Sequence, residues 1–157
     1  MKVFVGLGAN LGDARATLNQ ALRQIADLPA TALTAQSSFY RSAPLDAGGP
    51  DFVNAVAQID TTLSPQALLQ ALQAIERSHG RERPFRNAPR TLDLDILVAD
   101  DLCLDEPGLQ LPHPRLHERA FVLLPLLELA PQMSLAHIGP LAALRARVAH
   151  QCIERLP

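Results

Sequence analysis

Two aspartates spaced two residues apart give the strongest chemical signal in the chain. Asp93 and Asp95 stand in a segment, residues 90–96, whose apolar and acidic residues alternate. In a β-strand such residues share one face, about 6.6 Å apart along the strand. Two carboxylates so placed repel each other unless a cation lies between them, and divalent metal ions suit both carboxylate and polyphosphate oxygens. The spacing indicates a metal site or, alternatively, the charged outer face of an amphipathic strand.

A basic segment directly precedes the acidic pair. Residues 81–90 contain four arginines, including Arg81, Arg83 and Arg90. Guanidinium groups match phosphate oxygens in geometry and charge. By itself the segment is equally consistent with a solvated loop. Because it ends beside two candidate metal ligands, the two signals together favour a metal–nucleotide site.

Other candidate features are weaker. The glycines of residues 6–12 do not match the dinucleotide-binding fingerprint, and we interpret them as a tight turn; a P-loop motif is absent from the sequence. His113 stands between two prolines that restrict its backbone, and is either a ligand contact or a solvated loop residue. Phe52 and Phe121 are core residues or rings that stack on a flat heterocycle.

The elements that must position these residues follow from periodicity and from turn residues. The predicted strands cover residues 3–7, 31–41, 52–63 and 91–99, and the last of them forms a hairpin with 102–104. The predicted helices cover residues 13–28, 64–80, 118–129 and 139–155. The predicted loops cover residues 42–51, 81–90 and 107–114. The order β-α-β-β-α-β predicts an α+β, ferredoxin-like antiparallel sheet with helices packed on it and additions at the C-terminal end.

Composition limits the possible classes of protein. The 157 residues, 48% hydrophobic and 19% charged, predict a single globular domain over residues 1–157. A net charge of −2 argues against a general nucleic-acid binder. No apolar run approaches the length of a membrane span. We expect a cytoplasmic protein, and a monomer, because no large apolar surface stripe remains once the core is assigned.

Five segments together resemble the 6-hydroxymethyl-7,8-dihydropterin pyrophosphokinases of folate biosynthesis. The resemblance runs in order from residue 3 to about residue 131, and its proline-arginine-threonine-leucine-aspartate-leucine-aspartate segment is highly specific. The matching segments are residues 6–12, 37–42, 51–55, 88–96 and 111–114.

The resemblance implies an enzyme that transfers pyrophosphate from ATP to the hydroxymethyl group of the dihydropterin and releases AMP. Two Mg²⁺ ions, held by Asp93 and Asp95, would bridge the triphosphate. Arg81, Arg90 and Asp95 would act in catalysis. The residues expected to contact ATP are Leu69, Gln73, Glu76, Arg83, Arg90, Ile96 and His113. The residues expected to contact the pterin are Ser42, Ala43, Leu45, Phe52, Asn54, Asp95 and Phe121.

Some positions depart from the family pattern. Gly108 stands where some members have a phosphate-binding arginine, Pro114 where some have an aromatic residue, and Asn87 replaces a loop aromatic. Two alternatives from other classes stay open: a non-catalytic ferredoxin-like module that senses nucleotide, and an RNA-binding module of the same topology. The second is disfavoured because the matching strand face carries two aspartates, which repel phosphate.

Overall fold

The structure is a computed structural model, and it describes residues 1–10, 13–43, 51–80 and 92–157. The helices are α1 (Ala14–Ala26), α2 (Pro65–Ser78), α3 (Ala120–Leu129) and a 3₁₀ helix (Leu141–Val148). The strands are β1 (Lys2–Ala9), β2 (Thr31–Gln36), β3 (Tyr40–Ser42), β4 (Phe52–Thr61), β5 (Asp93–Ala99), β6 (Leu104–Glu106), β7 (Leu109–Leu111), β8 (Ser134–Leu135), β9 (Gly139–Pro140) and β10 (Ile153–Arg155).

The main sheet has six strands and confirms the predicted ferredoxin-like class. Its order is β10-β3-β4-β1-β5, with β2 also paired to β4. The pairs β1–β4, β1–β5 and β3–β4 are all antiparallel. Strand β1 therefore lies between β4, which carries Phe52 and Asn54, and β5, which carries Asp93 and Asp95.

The two faces of the sheet bury different sets of residues. Alternate residues such as Val5 and Leu7 pack with the buried stripes of α1 and α2. The residues between them, beginning with Phe4, face α3 and the 3₁₀ helix. Both long helices begin as the sequence indicates: Asp13 and Ser64 accept hydrogen bonds from backbone N–H groups three residues later.

Two predictions near the centre of the sheet are wrong in detail. Residues 31–41 are not one strand, because the chain leaves the ladder at 37–39 and separate strands β2 and β3 pair with β4. There the hydroxyl of Ser37 accepts a hydrogen bond from the amide of Val56. Gly6 and Gly8 do not form a tight turn, because both lie within β1.

The predicted hairpin between residues 91–99 and 102–104 is also wrong. Residues 104–106 pair instead with 109–111, so part of the predicted 107–114 loop is strand β7. Gly108 makes that turn possible, since its φ of +77° suits glycine. Asp100, predicted to turn the chain into that hairpin, instead contacts the start of β1, where its carboxylate accepts a hydrogen bond from the amide of Lys2.

The predicted C-terminal helix over residues 139–155 is replaced by three short elements. Leu141 and Leu144, three residues apart, are both buried, which suits the period of a 3₁₀ helix. Residues 153–155 then add to the sheet as β10, paired with β3. The edge of β3 offers backbone donors and acceptors, and pairing with β10 satisfies groups on both strands. In the described residues, none of the helices has the length and apolar character needed to span a membrane.

Candidate functional site

A hollow in the sheet face beneath α3 forms the first candidate site, called here the face cavity. Its floor is made by Gly6 and Gly8, which follow Phe4 on the same side of β1. Phe4 fills the core at α3 with a large ring, whereas Gly6 and Gly8 add no side chain of their own where they border the cavity. The result is a cavity of about 290 Å³, close to the lower end of the range for ligand pockets.

Besides Asp95, five of the residues expected to contact the pterin line the walls of this cavity. They are Ser42, Ala43, Phe52, Asn54 and Phe121. Ser42 ends β3 and Ala43 follows it, β4 supplies Phe52 and Asn54, and α3 supplies Phe121. The cavity thus brings together residues 79 positions apart in the chain, with an aromatic ring from the sheet and one from the helix.

The acidic pair lies on the opposite side of the same cavity. Asp93 pairs in register with Gly8, and Asp95 with Gly6. Both aspartates line the face cavity, Asp93 half-buried and Asp95 exposed. The predicted shared face is therefore present, and it borders the cavity.

Glu76 stabilises the backbone between the two aspartates. Its side chain is 2% exposed, and its Oε2 accepts a hydrogen bond of 2.8 Å from the amide of Leu94. A buried carboxylate bonded to an N–H group is a charge-assisted interaction, stronger than one between neutral groups. The expected contact of Glu76 with nucleotide does not follow from this position; a role in holding β5 does.

The acidic pair fits Mg²⁺ but provides only part of its coordination shell. Among the described residues, no cluster of three or more His, Cys, Asp or Glu side chains is arranged to hold a metal ion. Mg²⁺ is commonly bound through one or two carboxylates, with the remaining positions taken by water and substrate phosphates. Asp93 and Asp95 match that donor set.

A second cavity, the edge cavity, lies beyond β5. It measures about 610 Å³ and is bordered by the β6–β7 hairpin and by α2. Leu69, Ile96 and His113, all expected at the nucleotide, line it, and so does Asp95. Gln73 is exposed on α2 and is not among the lining residues. Asp95 borders both cavities, so the two spaces meet at one carboxylate.

His113 enters the edge cavity as a neutral ring. Burial lowers its pKa, and the positive charges of Arg119 and Arg115 act in the same direction, against the opposing effect of Asp95. Its Nδ1 accepts a hydrogen bond of 3.2 Å from the amide of Arg115. A neutral imidazole that accepts at Nδ1 carries its proton on Nε2, which is therefore a hydrogen-bond donor.

Arg119 lines the face cavity and was not identified from the sequence. It is the residue that precedes α3, and its guanidinium carbon lies 5.6 Å from the centre of the Phe121 ring. Its Nε is buried without a hydrogen-bond partner among the described residues. Burial lowers its pKa, and Asp95 and Asp93 oppose that shift. The one available sequence signal was its position two residues before Phe121.

Four of the expected site residues cannot be located. Leu45, Arg81, Arg83 and Arg90 lie outside the described residues. Their roles remain predictions.

The described residues form a ferredoxin-like fold with two cavities that both border Asp95. Residues 4–131 match the family model described as 7,8-dihydro-6-hydroxymethylpterin-pyrophosphokinase. The chain therefore belongs to this family.

Relatives with the same name extend the match. The chain is 48% identical over 157 residues to the 2-amino-4-hydroxy-6-hydroxymethyldihydropteridine pyrophosphokinase of Pseudomonas aeruginosa, covering 99% of this chain and 97% of that protein. It is 45% identical over 133 residues to the protein of that name from Haemophilus influenzae, covering 84% of this chain and 83% of the other.

Solved structures support the fold. A Plasmodium falciparum HPPK-DHPS structure with pterin and p-hydroxybenzoate superimposes with a TM-score of 0.73 at 14% identity, and covers 93% of this chain. This chain spans 41% of that longer protein. Because the identity is low, this likeness concerns the fold alone.

Proposed function

We propose that this chain transfers pyrophosphate from ATP to the hydroxymethyl group of 6-hydroxymethyl-7,8-dihydropterin, with two Mg²⁺ ions, and releases AMP. Membership of the family provides the activity, pyrophosphate transfer in folate biosynthesis. The nucleotide, the metal ions and the residue roles are the proposal. The observation that carries it is that Asp95 borders both cavities.

The face cavity is the proposed pterin site. Phe52 and Phe121 offer aromatic faces to a flat ring, and stacking of that kind contributes about 0.5–1.5 kcal/mol beyond the area buried. Asn54 supplies a polar side chain that is 4% exposed and lies at the cavity wall. Backbone groups of Ser42, Ala43 and Leu45 would contact the edge of the ring.

The edge cavity is the proposed nucleotide site. Leu69 and Ile96 supply apolar walls, and the Nε2–H group of His113 can donate to a phosphate oxygen. The described part of this cavity is acidic, because Asp105 and Glu106 also line it. A triphosphate there requires added positive charge, which Arg81, Arg83, Arg90 and the metal ions would provide.

The reaction joins the two sites. The substrate hydroxyl oxygen attacks the β-phosphorus in line, a new O–Pβ bond forms, the Pα–O–Pβ bridge breaks on the β side, and AMP leaves with the bridging oxygen. When bound, Mg²⁺ lowers the pKa of such a hydroxyl and offsets phosphate charge. Asp93 and Asp95 would hold the ions, and Asp95 is placed to accept the proton. Arg119 lines the same cavity as the aspartates, and its buried Nε–H group, which has no hydrogen-bond partner among the described residues, suits an anionic oxygen.

The test is ³¹P NMR of the purified protein with ATP, Mg²⁺ and the dihydropterin. We expect AMP and a pterin diphosphate, and neither product when pterin or Mg²⁺ is omitted. ADP as the product would mean ordinary kinase chemistry and a wrong assignment of the attacked phosphorus. A folded protein that binds ATP without turnover would favour the nucleotide-sensing module.

A further inference from the structure

Asn54 lies between the hydroxyl of Ser42 and the position of Gly8, a residue without a side chain. Its Oδ1 is hydrogen-bonded to the hydroxyl of Ser42 at 2.9 Å, and both side chains are at least 95% buried. On the other side it pairs in register with Gly8 of β1. All three residues line the face cavity.

In the structure the amide oxygen of Asn54 faces the hydroxyl of Ser42. An amide oxygen only accepts, so the proton in this bond comes from Ser42. The amide nitrogen, Nδ2, is thereby turned away from Ser42 and carries two donors. It lies over Gly8, because a Cβ on Gly8 would be 3.0 Å from it.

Gly8 is needed for space, and its backbone conformation is not the reason. A contact of 3.0 Å is tighter than nearly all real Cβ contacts, so a methyl group there requires Asn54 to move. The amide is buried and bonded to Ser42, so the shift of a few tenths of an ångström that a methyl group requires would lengthen or bend that bond. Gly6, two residues earlier, differs: its Cβ would meet the flexible side chain of Leu97 at 3.4 Å, an ordinary contact.

We propose that Gly8 and Ser42 are positioning residues that hold Asn54 with its NH₂ group toward the cavity, so that the site selects a heterocycle presenting a hydrogen-bond acceptor there. This inference rests on the proposed function. It adds that Asn54 is the hydrogen-bond donor and the heterocycle the acceptor, and it assigns two residues to positioning that donor. Neither Gly8 nor the Ser42 side chain touches the reacting atoms; both act through Asn54.

The test is a double-mutant cycle on pterin affinity, with 6-hydroxymethyl-7,8-dihydropterin as the probe. Gly8→Ala is expected to raise the pterin Kd about tenfold or more, because a buried hydrogen bond is lost or bent. In the Asn54→Ala background the same change is expected to alter Kd less than about twofold, since the obstructed amide is gone. Gly6→Ala is the matched control, and its effect should be the same in both backgrounds.

Ser42 provides an independent measurement if Gly8→Ala folds poorly. Ser42→Ala is expected to raise the pterin Kd several-fold while the ATP KM stays within about twofold. Ser42→Thr keeps the hydroxyl and should restore most of the affinity.

The outcomes separate the inference from the proposed function. An active wild-type protein in which Gly8→Ala weakens pterin equally in both backgrounds overturns the positioning role alone, as does Ser42→Ala with unchanged affinity. A wild-type protein that neither binds nor converts the pterin overturns both.

Discussion

The pKa of Tyr40 provides a quantitative test of how the walls of the face cavity are joined. Tyr40 is in β3, and its hydroxyl donates a hydrogen bond of 2.7 Å to Glu128 in α3. Glu128 also accepts bonds from the amide and hydroxyl of Ser38, and pairs with Arg155 at 3.6 Å. This group of side chains connects the strand that carries Ser42 to the helix that carries Phe121.

The contribution of this group to the free energy of unfolding follows from the protonation of Tyr40. Burial, together with the hydrogen bond and negative charge of Glu128, raises the pKa of Tyr40 from 10.0 to about 12. The folded state therefore binds this proton more tightly than the unfolded state does. The stabilisation is fully present below pH 10 and is lost as pH rises through about 12. Two pKa units correspond to roughly 2–3 kcal/mol of unfolding free energy.

The assay is direct because Tyr40 is the single tyrosine and the sequence has no tryptophan. Absorbance at 295 nm, followed during alkaline titration, reports this phenol alone. We expect a native midpoint near 12, and one near 10 in concentrated guanidinium chloride. Glu128→Gln removes the carboxylate charge, so the native midpoint should fall between those values. The control is Glu118→Gln, because Glu118 is an exposed partner of Arg115 and should leave the midpoint unchanged.

A native midpoint near 10 in the wild-type protein would refute the reasoning, because Tyr40 would then be accessible to solvent. An unchanged midpoint in Glu128→Gln would show that burial alone produces the shift. The interaction between Tyr40 of β3 and Glu128 of α3 would then have no electrostatic contribution.

Three further changes test the site and the core. Asp95→Ala should lower kcat about 10³-fold with Tm unchanged, since metal ligation supplies several kcal/mol of transition-state stabilisation. The control is Asp101→Ala, in an exposed turn. Retained turnover in Asp95→Ala would remove the metal role of Asp95. Arg90→Ala should lower kcat/KM about 10- to 100-fold for the loss of one charge-assisted hydrogen bond with little change in Tm; an unaltered rate would exclude Arg90 from the site. Leu123→Ala, at a fully buried position, should reduce the unfolding free energy by about 2–5 kcal/mol in urea denaturation, and a loss under about 1 kcal/mol would contradict the described core.

Local sequence rules were sufficient where one interaction dominates. Ser64 and Pro65 predicted the start of α2 because a cap and a proline act within one helical turn. The alternation around Asp93 and Asp95 predicted a strand with both carboxylates on one face, since side chains alternate at every residue of a strand.

The same rules failed where a partner distant in the chain decided the outcome. The C-terminal segment has helical periodicity, but the unpaired edge of β3 takes residues 153–155 into the sheet. Gly6 and Gly8 resemble turn residues locally, but β4 and β5 pair with them on both sides. In both cases backbone pairing across the fold outweighs local preference.

By itself the sequence determined the class of fold, the acidic pair and, through resemblance, the family. Only the tertiary structure decided that two glycines border a cavity, that the hydroxyl of Ser42 is hydrogen-bonded to Asn54, that Arg119 lies beside Phe121, and that Asp95 borders two cavities at once. The reason is physical: periodicity tells which face of an element a side chain occupies, whereas a cavity is the space that several elements leave between them.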